Sequence, residues 1–331
     1  MLFTIILGLA VIALLAAAMT DVRGLFRVVL FGSGNGASSS AAGYDPARDI
    51  QLLAGKVVLI TGAAGFLGRQ TAAKEALAQQ IVQEAYGDHG EAAKSRTEIC
   101  FVDLDLSSLD AVRECAANFK RLDILFLNAG IIRVSAATTT EGCEAHFGIN
   151  YLGYALLARL LTPLLRRTAE QSDAGVRVVV VSSEGHLMAP TNGIDFDSLK
   201  SDGANMHYAK RYGQSKVALI GLTKELSREC PQVRVAGVHP GRILTSMAEA
   251  LRKESLLTRL TLPIAPLFCV SITVGIRNHL WAATSTDVVT GTYYEPLGVP
   301  GKLSSHAKDE DLFKRFHEWT DDTLSIIKPL Q

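Results

Sequence analysis

Short apolar runs alternate along this chain with longer amphipathic stretches, and this alternation limits the fold more than any other feature. The apolar runs lie at residues 56–61, 99–104, 122–128, 176–182 and 233–239. Helical patterns lie near residues 68–85, 109–118, 141–165 and 211–229. Each run is short and rich in Val, Ile, Leu or Phe, as is typical of strands buried on both faces. We therefore expect a doubly wound α/β fold, with one parallel sheet covered by helices.

The beginning of the chain has a different composition. Residues 2–19 carry no charge and would form a helix about 27 Å long, close to the roughly 30 Å of bilayer hydrocarbon. Arg23 and Arg27 follow, which favours a cytosolic position for the rest of the protein. We predict a single-pass membrane anchor at residues 1–31, in the endoplasmic reticulum. The alternatives are a cleaved signal peptide, which lacks the usual leading charge, and a peripheral hairpin.

The remaining chain divides into a tether and one domain. Residues 32–45 are rich in Gly and Ser and read as a flexible tether, so we place the catalytic domain at residues 46–331. Lys and Arg total 33 and Asp and Glu total 33, which argues against a nucleic-acid partner. The five cysteines are scattered without zinc-ligand spacing and indicate a reducing compartment.

The first predicted strand ends in a glycine-rich turn that leads directly into a predicted helix. The turn reads Thr61-Gly62-Ala63-Ala64-Gly65-Phe66-Leu67-Gly68. Glycines let the backbone turn tightly and approach a pyrophosphate, and a helix start offers unpaired N–H groups and a positive dipole end. The position of this turn between a buried strand and a helix predicts a dinucleotide-binding site.

Four polar landmarks follow in chain order. They are Leu127-Asn128-Ala129-Gly130, then Asn150, then Ser182-Ser183, and finally Tyr212-Gly213-Gln214-Ser215-Lys216. Tyr212 and Lys216 share one face of a helix because their spacing is close to a full turn. The tyrosine and lysine alone would be a weak signal, but all four landmarks in this order strongly indicate one site.

With these motifs the chain resembles the short-chain dehydrogenase/reductase family over residues 55–301, in particular its retinol-dehydrogenase-like branch and fungal relatives. The resemblance implies a Rossmann-like single domain, a lipophilic small-molecule substrate and a cofactor that is NADP or NAD, with NADP slightly preferred. It is also compatible with a homodimer. The implied catalytic residues are Ser183, Tyr212, Lys216 and Asn150. The implied cofactor-binding residues are Gly62, Gly65, Phe66, Leu67, Gly68, Asp105, Asn128, Tyr212, Lys216, Ile243 and Thr245.

The reaction explains why a tyrosine and a lysine are needed. Hydride addition to a carbonyl leaves an alkoxide, so a proton donor must lie within reach of that oxygen. We expect Tyr212 to be the acid and base, and a nearby Lys216 ammonium to lower the phenol pKa from its usual value of about 10. Ser183 would orient the substrate oxygen, and Asn150 would connect Lys216 to solvent through a water.

Residues 69–98 depart from the family pattern. Good helix formers occupy the place of a second strand, and no Gly or Pro occurs between Gly68 and Gly87. We therefore predict that the second strand is missing and that the adenosine half of the cofactor loses support. The 99–104 strand then either pairs directly with the 56–61 strand or is separated from it by a gap, and we favour direct pairing because a gap would leave backbone groups unpaired. A second hypothesis follows: a dehydrogenase-like binding or scaffold protein with impaired cofactor binding.

Overall fold

The computed structural model describes residues 41, 43–50, 53, 55–62, 100, 102–171, 175–243, 253 and 269–326. The predicted anchor at 1–31, most of the predicted tether and the whole 69–98 segment lie outside the described residues. Within the described ranges, no helix has both the length and the apolar character needed to cross a bilayer.

Five parallel strands form the sheet. They are β1 (Val58–Ile60), β2 (Ile124–Leu127), β3 (Val176–Val181), β4 (Val233–Val238) and β5 (Thr292–Tyr294). The strands lie side by side in chain order, and each pair is parallel. Strands β1 to β4 confirm four of the five predicted runs. The sequence analysis missed β5 because it is too short for an apolar pattern and contains two tyrosines.

Helices cover both faces of the sheet, as the doubly wound fold requires. They are α1 (Pro46–Asp49), α2 (Leu109–Ala116), α3 (Ala145–Phe147), α4 (Gly153–Glu170), α5 (Tyr208–Glu229), α6 (Ile272–Thr284) and α7 (Glu310–Ile326), with a π-helical segment at Gly148–Leu152 and 3₁₀ helices at Glu184–Met188, Phe196–Ser198 and His306–Lys308. One core joins α2, α4, α5 and α7 to the sheet. A second core joins α6 to the opposite face. Strand residues alternate between the two cores: Leu125 packs in the first and Phe126 in the second.

The remaining predicted run, at residues 99–104, does not form the strand expected of it. Residues 100 and 102–104 belong to no strand, and residues 99 and 101 lie outside the described part of the chain. The expected direct pairing of this run with β1 is therefore wrong for the residues described, where β1 pairs only with β2. Asp103 and Asp105 supply the physical reason, because aspartate is disfavoured in strands and competes for backbone N–H groups. Asp105 does so here by accepting hydrogen bonds from the Ser107 N–H and hydroxyl.

Candidate active site

The predicted site residues collect at one edge of the sheet. Because all five strands are parallel, their carboxyl ends meet there, and a ligand crevice forms at this edge in open α/β sheets. Gly62 follows β1, Asn128 follows β2 and Ser183 follows β3. The loop containing Arg242 follows β4, and Glu295 follows β5 directly.

Tyr212 lies at the beginning of α5, against the loop that follows β3. Its phenol hydrogen-bonds to the Ser183 hydroxyl, and both residues are half-buried. A Cβ on Gly185 would be 2.6 Å from Cε1 of Tyr212, so glycine is what allows this loop to approach the ring. The structure thus brings together the predicted serine and tyrosine.

The pKa of Tyr212 differs in direction from the expectation. Removal from water raises the pKa of the phenol to about 12; the hydrogen bond with Ser183 lowers it and the Glu184 carboxylate raises it further. The expected lowering by a Lys216 ammonium is therefore wrong for this arrangement. Its consequence is that the phenol is protonated throughout the neutral range, which is the form that donates a proton.

Lys216 lies one helical turn beyond Tyr212 and is buried. Its Nζ is 5.3 Å from the centre of the Tyr212 ring and donates to the Val181 carbonyl at 3.3 Å. Burial lowers the pKa of Lys216 to about 7. Roughly half of these side chains are consequently neutral near pH 7, which explains why the lysine gives the phenolate little support.

Asn150 braces the loop after β2 against α5. It lies in the π-helical segment, a type of irregularity that is frequent at functional sites. Its Oδ1 accepts from the Ile131 N–H at 2.7 Å, and its Nδ2 donates to the Ile131 carbonyl at 3.1 Å and to the Ser215 hydroxyl at 3.1 Å. Ser215 in turn donates to the Tyr212 carbonyl at 2.7 Å. Asn150 therefore holds the first turns of α5 in register with the β2 loop.

Asn128 joins the carboxyl ends of β1 and β2. Its Nδ2 donates to the Thr61 carbonyl at 3.0 Å, and its backbone N–H donates to the Thr61 hydroxyl at 2.9 Å. Its Oδ1 is buried and has no hydrogen-bond partner among the described residues. A buried acceptor of this kind is costly unless a ligand donor reaches it.

The described residues fit a nicotinamide dinucleotide at this edge. The unpartnered Asn128 oxygen offers an acceptor, and Gly62 turns the chain with a φ of 68° where a Cβ would be 2.9 Å from Ala129. A Cβ on Gly130 would be 3.2 Å from Asn150 Oδ1 and 3.8 Å from Lys216 Nζ, so this loop also passes close to the asparagine and the lysine. These features form a narrow cradle beside Tyr212 and Lys216.

The other predicted cofactor contacts are only partly within the described chain. Gly65, Phe66, Leu67, Gly68 and Thr245 lie outside the described residues. Asp105 is exposed, and its carboxylate is bonded to Ser107. Ile243 is half-buried and forms an isolated parallel bridge with Val270. Their contacts with a cofactor therefore stay predictions.

Comparisons with known proteins identify the family. The sequence profile of the short chain dehydrogenases matches residues 56–201 and 198–256, which is more than half of the chain. The chain belongs to the short-chain dehydrogenase/reductase family. It is 33% identical to an uncharacterized oxidoreductase of Schizosaccharomyces pombe, over 85% of this chain and 89% of that protein. It is 32% identical to human retinol dehydrogenase 14 over the same shares, and 33% identical to mouse retinol dehydrogenase 12 over 82% and 87%.

Solved structures confirm the dehydrogenase fold. A crystal structure of an uncharacterized protein from Mycobacterium paratuberculosis aligns with a TM-score of 0.59 and 26% identity, covering 84% of this chain and 96% of that one. An NADPH-bound carbonyl reductase from chicken fatty liver aligns with a TM-score of 0.51 and 19% identity, covering 75% and 99%. The protein is thus a Rossmann-like oxidoreductase of the retinol-dehydrogenase-like branch. It acts on CH–OH groups with NAD(P).

Sequence reasoning missed three residues of this dehydrogenase site. Ser215 was quoted as part of the tyrosine–lysine motif, yet its bond to Asn150 is visible only in the structure. Glu184 and Arg242 form an ion pair with a closest approach of 2.6 Å beside Ser183. The sequence signal for this pair was weak: Glu184 directly follows the Ser182-Ser183 landmark, and Arg242 directly precedes Ile243.

Proposed function

We propose that the protein interconverts an alcohol and a carbonyl on a lipophilic small molecule, with Tyr212 as the acid and base. The observation that supports this most directly is the half-buried Tyr212 phenol, hydrogen-bonded to Ser183 and one turn from the buried Lys216. Ser183 and Tyr212 are each half-buried beside the buried Lys216 and Asn150, so a substrate oxygen can reach them while most of the site is shielded from water. This arrangement suits proton transfer in a sheltered site.

A nicotinamide held at this edge of the sheet would supply or accept the hydride. Ser183 hydrogen-bonds the substrate oxygen and so fixes its distance from the phenol. Tyr212 donates its proton as negative charge develops on that oxygen during reduction, and takes a proton from the alcohol during oxidation. Asn150 and Ser215 keep Tyr212 in place, since Ser215 is bonded to the Tyr212 carbonyl. Among the described residues, Gly62, Asn128, Tyr212, Lys216 and Ile243 would hold the cofactor.

A surface groove of about 550 Å³, lined by both apolar and polar side chains, lies beside the first turn of α5. It is lined by Val134, Ala136, Ala204, Asn205, Met206, His207, Tyr208 and Arg211. Tyr208 is one helical turn before Tyr212 and shares its face of the helix. We propose that a substrate whose reactive carbon lies at Tyr212 extends into this groove over the Val134, Met206 and Tyr208 side chains.

Replacement of the phenol tests the mechanism. Tyr212→Phe removes the proton donor without changing the ring, so we expect kcat for retinal and decanal reduction to fall by about 10²-fold or more. Tyr44→Phe is the matched control, because Tyr44 bonds Thr284 and packs in the core on the α6 side of the sheet. The control should keep full activity, and both variants should show unchanged circular dichroism. Undiminished turnover by Tyr212→Phe would exclude the mechanism.

Cofactor titration separates this proposal from the scaffold hypothesis. NADH and NADPH are added to the purified protein while nicotinamide fluorescence is followed. We expect saturable binding of at least one of them, with NADPH tighter. If neither gives a saturable signal, the protein has lost productive cofactor binding and the scaffold hypothesis takes its place.

We also propose that residues 1–31 anchor the enzyme in the endoplasmic reticulum membrane with the 46–331 domain in the cytosol. The support is the uncharged stretch at 2–19 and the arginines that follow it. A lipophilic substrate partitions into a bilayer, so an anchored enzyme would work where that substrate is concentrated.

A further inference from the structure

The loops after β3, β4 and β5 meet in a cluster of charged groups beside the catalytic serine. Both carboxylate oxygens of Glu184 accept from Arg242: Oε1 from Nε at 2.6 Å and Oε2 from Nη2 at 3.2 Å. Glu295 accepts from the Tyr293 hydroxyl at 2.8 Å. One side-chain oxygen or nitrogen atom from each of Glu184, His239 and Glu295 lies within 4.8 Å of the other two. The bidentate pair therefore ties the loop of Ser183 to the loop after β4.

This cluster lies directly against Tyr212. In the chain, Glu184 lies between Ser183, which bonds the phenol, and Gly185, where a Cβ would be 2.6 Å from Cε1 of the Tyr212 ring. Glu184 is 5% exposed, so its charge is little screened by solvent. The Arg242 side chain is 22% exposed, so it is the more solvent-accessible member of the ion pair.

The other titratable groups around Tyr212 each have their own partner or are neutral. From α3, the His146 ring centre is 6.3 Å from the Tyr212 ring, and its Nδ1 is 2.8 Å from Glu144. From α5 itself comes Lys216, which is bonded to Val181.

On the β5 side, Tyr293 and Glu295 bond each other. His239, after β4, is buried, and burial lowers its pKa to about 4, so its ring is neutral. Glu184 is therefore the carboxylate among the described residues that acts most directly on the phenol, and Arg242 is the cation that neutralises it.

We propose that Glu184 and Arg242 are positioning residues that together control the charge beside the Tyr212 phenol. Glu184 opposes formation of the phenolate and so keeps the acid form ready for reduction. Arg242 limits this effect by neutralising Glu184, and it holds the Ser183 loop against the β4 loop. The proposal rests on the proposed role of Tyr212. It assigns the balance between the reductive and oxidative directions to two residues outside the Ser/Tyr/Lys/Asn set.

If Glu184 and Arg242 have this role, replacing each of them should shift the pKa of Tyr212 in opposite directions. Arg242→Gln leaves the Glu184 carboxylate uncompensated and should make Tyr212 harder to ionise. Glu184→Gln removes that carboxylate and leaves the guanidinium beside the site, so Tyr212 should ionise more easily. We expect the pKa of the phenol at position 212 to shift by about one unit in each direction, and by less in the double variant. If the two residues had only a structural role, the pKa of Tyr212 would shift in the same direction in both single variants.

The experiment reads the phenol directly. A fluorinated tyrosine, which ionises at lower pH than tyrosine, is incorporated at position 212 of the full chain, and its single ¹⁹F resonance is followed against pH. The variants are Glu184→Gln, Arg242→Gln, the double variant and Arg242→Lys, which keeps the charge and should stay within a few tenths of a pH unit of the parent. Glu310→Gln is the remote control, because this residue pairs with exposed Arg228 between α5 and α7.

The proposal is supported if the titration curve shifts in opposite directions in Glu184→Gln and Arg242→Gln and stays close to the parent curve in Arg242→Lys. Displacements in one direction, no displacement, or an Arg242→Lys curve that follows Arg242→Gln would overturn it. If Glu184→Gln does not fold, Arg242→Gln against Arg242→Lys decides by the same criteria. The titration needs neither substrate nor cofactor, so it fails independently of the proposed function: active Tyr212→Phe removes the catalytic role, whereas unmoved titration curves remove only the control by Glu184 and Arg242.

Discussion

At the scale of single residues, the site is dominated by the cost of removing charge from water. Lys216 is buried, and its Nζ donates to the Val181 carbonyl. Burial lowers the pKa of Lys216 to about 7. An ammonium in such a place destabilises the fold unless a ligand compensates it. The lysine is therefore a residue kept for chemistry at a cost in stability.

Lys216→Met should consequently stabilise the protein while abolishing activity. The folded pKa of about 7 lies below the unfolded value of 10.5, so the unfolded chain binds more protons between these values and wild-type stability rises with pH there. The gain from Lys216→Met should be several kcal/mol at pH 6, and most of it should disappear toward pH 10. Thermal unfolding of both proteins across this range measures it, and a gain that grows with pH would contradict the assignment.

At the scale of elements, α5 is the part that assembles the site. It carries Tyr212, Ser215 and Lys216 on its first turns and packs on the 3₁₀ helix that follows Ser183. Two glycines fix its distance from different neighbours. A Cβ on Gly213 would be 2.5 Å from the Ala189 nitrogen, whereas a Cβ on Gly221 would be 2.6 Å from Cε1 of Phe316 on α7.

These two glycines give matched variants with different expected results. Gly213→Ala must move backbone, so it should displace Tyr212 from Ser183 and reduce kcat by about 10²-fold. Gly221→Ala meets an aromatic side chain far from the phenol, so it should cost about 1–3 kcal/mol of unfolding free energy and leave kcat unchanged. Steady-state kinetics with chemical denaturation distinguishes them. Equal losses of kcat would show that α5 responds as a rigid unit.

At the scale of the whole molecule, the two faces of the sheet have different roles. The face covered by α4, α5 and α7 holds the larger core. Helix α7 is joined to this face by the Tyr151–Thr320 hydroxyl bond of 2.9 Å and by the Phe316 ring against Tyr151. These contacts join α7 to the π-helical segment that carries Asn150.

Deletion of residues 1–31 should release the enzyme from membranes without loss of the fold. The reason is that every recognised motif lies beyond residue 55 and the Gly/Ser-rich segment separates the two parts. Fractionation of cells that express the full-length and shortened chains measures release, and circular dichroism with NADPH binding measures the fold. A full-length protein in the soluble fraction, or a mature N-terminus after Ala18, would reject the retained anchor.

The sequence by itself determined the features that depend on local pattern. Buried strands and covering helices differ in period and length, which is why β1 to β4, α2, α4 and α5 could be located in advance. Asn150, Ser183, Tyr212 and Lys216 could be chosen because the order of their motifs along the chain resembles that of the family. Run 99–104 shows the limit of this reasoning, since apolar character without its neighbours does not decide whether backbone groups find a partner.

Only the tertiary structure decided the electrostatics of the site. Lys216 acquires its pKa of about 7 from burial, and Glu184 meets Arg242 across 58 residues of chain. Neither effect has a local signature, because desolvation and ion pairing depend on which distant groups surround a side chain. For the same reason the sequence predicted a lowered phenol pKa for Tyr212, whereas the packed loop beside it raises that pKa to about 12.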